Sequence, residues 1–166
     1  MKQDTIGDAG ESNKSSPVPS RRVLVVDDDK PMRVAFREML QEWSFAPSMA
    51  ATFLEARNAV LTEEPFAVIV SDYHLPDGTG LEFLDWLYRE VGLQVPFLLI
   101  SGGLTRAPSA AYKYEFLAKP FLMEKFRQRL EKLVSVKPQA AISSNLTVAQ
   151  EAMASVYARY RSPKDK

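Results

Sequence analysis

Four short stretches carry side chains that could do chemistry together. An apolar run from Phe66 to Val70 delivers a carboxylate, Asp72, just where the run stops. A second run, Val23 to Val26, ends directly in Asp27-Asp28-Asp29. A third, Val95 to Ile100, closes on Ser101-Gly102-Gly103, and a fourth, Glu115 to Ala118, closes on Lys119-Pro120. A buried strand has no use for a carboxylate at its tip unless something there binds a cation or does chemistry. Acids gathered in one crevice repel one another and cannot all stay ionised unaided. A hard divalent cation resolves that conflict, and oxygen-only ligands favour magnesium over zinc or copper. Lys119 adds a flexible point charge suited to a phosphoryl oxygen, and Ser101 a short hydroxyl donor. Together these are the parts of a phosphoryl-transfer site in which an aspartate attacks phosphorus.

The elements that must position them follow from periodicity. Val23–Val26 and Phe66–Ser71 are fully apolar, β-branched runs of the kind buried in a parallel sheet. Phe45 to Ala51 is a weaker strand whose Pro47 fits only an edge or a strand start. After the first strand, Asp29 is a plausible cap and Pro31 suits a first helical turn. Met32, Ala35, Phe36, Met39, Leu40 and Trp43 then form one apolar stripe, with Arg33, Arg37, Glu38, Gln41 and Glu42 on the other side. Helices are also predicted over Phe53–Thr62, along Leu81, Leu84, Leu87, Tyr88 and Val91, and along Leu122, Phe126, Leu130 and Leu133. Asp77-Gly78 reads as a turn and no more. Leu104–Tyr112 is ambiguous, since Pro108 interrupts it.

Five strands alternating with helices predict an α/β fold, a doubly wound five-stranded parallel sheet with helices on both faces. In the flavodoxin-like order 2-1-3-4-5, ligands bind beyond the carboxyl ends of the strands, where the order reverses between strands one and three. Those are the two strands that carry the acids.

The 166 residues allow one compact domain plus tails. No cysteine is present, which excludes disulfides and thiolate metal sites, and one histidine excludes a multi-histidine zinc site. With 21 basic and 21 acidic residues, the whole makes no case for direct nucleic-acid binding. The surplus of base in residues 121–166, nine Lys/Arg against four Asp/Glu, reads as solvated helix faces. No apolar run reaches membrane-spanning length, so no membrane partner is expected and the location expected is cytoplasmic. Residues 1–20 read as a disordered tail, 21–135 as the domain, and 136–146 as a linker. Residues 147–166 read as an amphipathic helix and tail, whose stripe of Val148, Ala152, Met153, Val156, Tyr157 and Tyr160 needs burial on some apolar face.

VLVVDDD, VIVSDYHLPDG, FLLIS and FLAKPF, in this order, resemble the signature segments of the bacterial response-regulator receiver domain, over about residues 21–135. The resemblance implies that Asp72 accepts a phosphoryl group from a sensor histidine kinase or a histidine phosphotransfer protein. It implies that Asp28 binds Mg2+ directly, Asp27 through water, and that Asp72 and the backbone carbonyl of His74 complete the metal set. Ser101 would bond the phosphoryl group and Lys119 pair with it, across a cis Lys119–Pro120 bond. Ser101 and Phe116 would form a switch read by a downstream protein, with a homodimer possible. On this reading the chain is no enzyme beyond its own aspartyl phosphorylation and dephosphorylation. The Ser101–Lys119 segment is shorter than that family's usual one, which predicts a short or irregular fourth helix. With no output domain after the last core helix, either a stand-alone receiver or a piece of a longer protein is expected. Two alternatives stand beside it. One is a degenerate receiver acting as a constitutive interaction domain. The other is an Asp-nucleophile phosphohydrolase resembling the haloacid-dehalogenase superfamily, which would leave Asp72 without a job.

Overall fold

A computed structural model describes residues 21–135. The readings of 1–20, 136–146 and 147–166 lie outside the described residues. Strands β1 (Arg22–Val26), β2 (Ala46–Ala50), β3 (Val68–Asp72), β4 (Phe97–Ser101) and β5 (Glu115–Ala118) form one sheet in the order β2-β1-β3-β4-β5. Every neighbouring pair in it is parallel. The doubly wound order predicted above is thus the observed one. Helices α1 (Lys30–Glu42), α2 (Phe53–Thr62), α3 (Gly80–Trp86) and α4 (Met123–Ser135) complete it.

Alternation along the strands builds two cores. Leu24, Val26, Ile69 and Leu99 face Phe83, Leu84, Leu87 and Val60 of the α2 and α3 side. Their sequence neighbours Val23, Val25, Val70 and Leu98 face Phe36, Leu40, Phe126 and Leu130 of α1 and α4. Strand side chains point to opposite faces with period two, so an uninterrupted apolar run is what a sheet covered on both sides requires. β2 pairs only with β1, which places Pro47 on an edge as predicted.

The helix starts are written locally. The Asp29 side chain accepts the Met32 N–H at 3.1 Å, and Pro31 occupies the first turn of α1. Thr79 and Glu82 form a reciprocal capping box at the start of α3. Along α1, Phe36 and Leu40 of the stripe are buried and Met32, Met39 and Trp43 are partly buried against the same core, while Ala35 is exposed.

Three features depart from the periodicity reading. Past Trp86, α3 widens into a π-helical turn, Leu87–Val91, ended by Gly92 in the left-handed conformation at φ 70°. A two-residue antiparallel ladder, His74–Leu75 against Gly78–Thr79, follows β3. At its tip the Asp77 carboxylate accepts the Phe53 and Leu54 N–H groups at 2.7 and 2.9 Å. Asp77 is therefore more than a turn residue, because it caps α2 from outside and satisfies two donors the helix cannot pair itself. The third departure is the connection from β4 to β5. Residues 102–114 contain no helix. Gly102-Gly103 disfavours helical backbone, Pro108 lacks the N–H an interior turn needs, and the Ser101 hydroxyl accepts the N–H groups of Gly103 and Leu104 at 3.3 and 3.2 Å.

At the other end of β5, Glu115 accepts from Lys132 at 3.0 Å and from Arg129, tying α4 to the sheet. The Lys132 hydrogen bond first, with Arg129 helping and burial opposing, holds the Glu115 carboxyl below its ordinary value. A depressed carboxylate contributes stability that is present above its unfolded value and lost as pH falls through the folded one. Thermal midpoints taken from neutrality down to about pH 3 should therefore fall less steeply for Glu115→Gln than for the unmodified chain. Identical slopes would mean that the cluster is a solvated surface contact.

Candidate functional site

The carboxyl ends of β1 and β3 are neighbours in the sheet, with Val26 in register with Ser71. Asp27 and Asp72, the residues that follow, are therefore delivered side by side by two separate parts of the chain. Asp27 is 2% exposed and Asp28 is exposed. One carboxylate oxygen from each of Asp27, Asp28 and Asp72 lies within 4.8 Å of the others. Lys119, from the end of β5, crosses to meet them. Its Nζ donates to Asp27 Oδ2 at 3.1 Å and to Asp72 Oδ2 at 3.2 Å.

The remaining oxygens are held by backbone. Asp27 Oδ1 accepts the Asp29 N–H at 2.9 Å, and Asp72 Oδ1 accepts the Tyr73 N–H at 2.7 Å. Burial pushes the Asp27 carboxyl up, against the Asp29 N–H and the Lys119 charge, while Asp72 adds to the rise. Burial alone would lower Lys119, but the charges of Asp27 and then Asp72 outweigh it and hold the ammonium above its ordinary value. An excess of negative charge is thus concentrated in a crevice where the Lys119 ammonium bridges two of the acids. Three oxygen donors of this kind fit a hard divalent cation.

The other predicted residues sit around this crevice. Ser101 ends β4 and is fully buried, and its backbone carbonyl accepts the Lys119 N–H at 2.7 Å. The Lys119–Pro120 bond is cis, as expected from the resemblance. His74 is exposed in the loop beyond Asp72, with its ring edge-on to Tyr73 at 4.8 Å. Phe116 is half-buried and packs against the core on the α2 and α3 side.

Residues that periodicity and motif reading did not single out also shape the crevice. Arg33 Nη1 donates to the Asp27 carbonyl at 2.6 Å, although the α1 pattern places Arg33 on the solvent side. Ser71, fully buried, donates its hydroxyl to the Asp72 carbonyl at 2.9 Å. Gly80 is the tightest position. A Cβ there would stand 2.5 Å from the Asp72 carbonyl oxygen and 2.6 Å from Leu99 Cδ1. A glycine opening a helix was the available signal, since nothing about helix propensity favours it. Gly80→Ala should cost about 1–3 kcal/mol by overpacking, because one of the atoms that must give way is backbone. Urea unfolding measures this, and an alanine variant as stable as the parent would refute the close approach.

By fold and by the placing of its acids, this is a doubly wound α/β protein with its polar crevice where the strand order reverses. The chain belongs to the response regulator receiver domain family, whose model matches residues 23–131. It is 31% identical over 138 residues to the regulatory protein VirG of Agrobacterium fabrum, covering 80% of this chain and 53% of that protein. It thus spans about half the length of the curated relatives it matches. Among solved structures, the non-phosphorylated HemR receiver domain from Leptospira biflexa is similar at 29% identity and a TM-score of 0.57, over 69% of this chain and 94% of that one. The beryllofluoride-activated NtrC4 receiver domain dimer is similar at 31% identity and a TM-score of 0.58, over 69% and 96%. The family is one of two-component signalling domains. Among the described residues, no helix is long and apolar enough to cross a membrane.

Proposed function

We propose that this chain is a phosphoacceptor module of a two-component phosphorelay and that Asp72 takes the phosphoryl group. The observation that carries the reading is the meeting of Asp27, Asp28 and Asp72 under the Lys119 ammonium. In the transfer, an Asp72 carboxylate oxygen attacks the phosphorus of a phosphohistidine on a sensor kinase or phosphotransfer protein. The new P–O bond forms as the P–N bond breaks, and the imidazole leaves with the electron pair and takes up a proton. Asp27, Asp28, Asp72 and the backbone carbonyl of His74 would hold Mg2+, which when bound supplies positive charge against the phosphoryl oxygens.

This chain's own residues do the rest. Lys119, already charged and bridging two acids, exchanges its Asp72 contact for a phosphoryl oxygen. Ser101 gives up its turn contacts with Gly103 and Leu104 to donate to another. Moving Ser101 leaves space beside β4 into which Phe116 turns, and a downstream protein or a second copy of this chain reads the altered surface.

The test is incubation with Mg2+ and a small acyl-phosphate donor, followed by intact mass. One phosphoryl adduct is expected, lost when EDTA is present. The absence of a helix over 102–114 favours a second reading, an interaction domain that works without phosphorylation. A chain that stays unmodified under these conditions while remaining folded would decide for that reading.

A further inference from the structure

The connection without a helix leaves a groove at the opposite end of β4 and β5 from the acids. Its volume is ≈ 690 Å³, and its lining includes Tyr88, Val95, Pro108, Tyr112, Tyr114 and Leu133. The groove is built rather than slack. Tyr88, brought round by the π-helical turn, stacks on Tyr112 at a centroid distance of 4.0 Å. Arg89 Nε donates to the Tyr112 hydroxyl at 3.2 Å, and Tyr114 donates its hydroxyl to the Pro108 carbonyl. The segment that would otherwise cover this face as a helix is thus pinned to its wall.

We propose that residues 147–160 of the same chain lie in this groove as a helix, in the place left by the helix missing between β4 and β5. Two observations select that occupant. Leu133 lines the groove and α4 runs only two residues further, to Ser135, so the chain departs from the groove's own rim. Residues 136–146 can span at most about 36–40 Å when extended, more than enough to turn a segment back onto it. The segment has the matching character. Val148, Ala152, Met153, Val156, Tyr157 and Tyr160 recur at helical spacing and form one apolar stripe. Fourteen residues of helix are about 21 Å long, a rod suited to a groove between sheet and turn. Such a stripe is apolar surface that must be covered, and the groove is apolar surface close at hand.

The chain contains no cysteine, so a single spin label can be placed at will. Ser109→Cys, on an exposed residue of the rim, carries the nitroxide in the full chain. Amide signals of residues 148–160 should lose intensity through relaxation by the label, to the same degree at every protein concentration. Val156→Asp should restore them while leaving the signals of β4 in place, which shows that the domain remains folded. Isotope-labelled chain mixed with unlabelled spin-bearing chain should show no loss. Loss in the mixed sample would make the occupant a second copy, and no loss in either sample would leave the groove to another partner; each overturns the proposal.

Discussion

Asp72→Asn is expected to abolish the phosphoryl adduct altogether while the protein stays folded. Asparagine keeps the shape of the side chain and can still accept the Tyr73 N–H, but its amide oxygen carries no full charge with which to attack phosphorus. Lys119 would retain Asp27 as a partner at 3.1 Å, so no ammonium is left buried alone. One of three mutually repelling acids is removed, which relieves the crevice rather than straining it. Intact mass after exposure to Mg2+ and the acyl-phosphate donor should therefore show only unmodified chain, with a melting temperature no lower than the parent's. An adduct that persists in the variant would place the phosphoryl group elsewhere and end the phosphoacceptor reading of Asp72. That outcome would also reopen a nucleophile among the acids after β1, as the phosphohydrolase alternative requires.

Phe126→Ala should be the most destabilising single substitution in the second core. Phe126 is fully buried. Its ring lies 5.0 Å from Phe36, 5.9 Å from Phe121 and 6.1 Å from Trp43, so one side chain joins α1, α4 and the loop between Lys119 and α4. Removing a buried ring costs about 3–5 kcal/mol through lost transfer energy and the cavity left behind. Domains of this kind are stable by only about 5–15 kcal/mol in total. Urea unfolding should show the midpoint drop with little change in slope, and Phe126→Leu, which keeps most of the volume, should recover much of the loss. A cost below about 1 kcal/mol would mean that α4 is not seated on α1 through this ring. The site should weaken too, since α4 anchors the loop that begins at Lys119.

The response regulator family was legible in four short segments because each combines a buried strand with the polar residue at its end. Burial on both faces demands continuous apolar residues, and so Val23–Val26 and Val68–Val70 stand out in one dimension. Asp72 was legible because an acid at the tip of such a run has no structural use. The cap at Asp29 and the edge position of Pro47 could be read for similar reasons, since both follow from where backbone donors are left over.

Beyond the meeting of the acids with Lys119, contacts between one element and another were not legible. Arg33 on the Asp27 carbonyl, Asp77 on the α2 N-terminus and the Gly80 approach to Asp72 join segments whose meeting depends on how the sheet and helices pack. Local patterns record which side of an element is apolar, not which neighbour supplies a missing acceptor. The shortened Ser101–Lys119 segment announced an irregular connection. That it leaves a groove walled by a Tyr88–Tyr112 stack was decided only in three dimensions, by a π-helical turn that no periodicity rule encodes. The sequence by itself thus determined the strands, their alternation with helices and the chemical types at their carboxyl ends, because period and burial are properties of single segments. Which side chains share an oxygen, and what surface is left uncovered, depend on the distances between segments, and those exist only once the chain has packed.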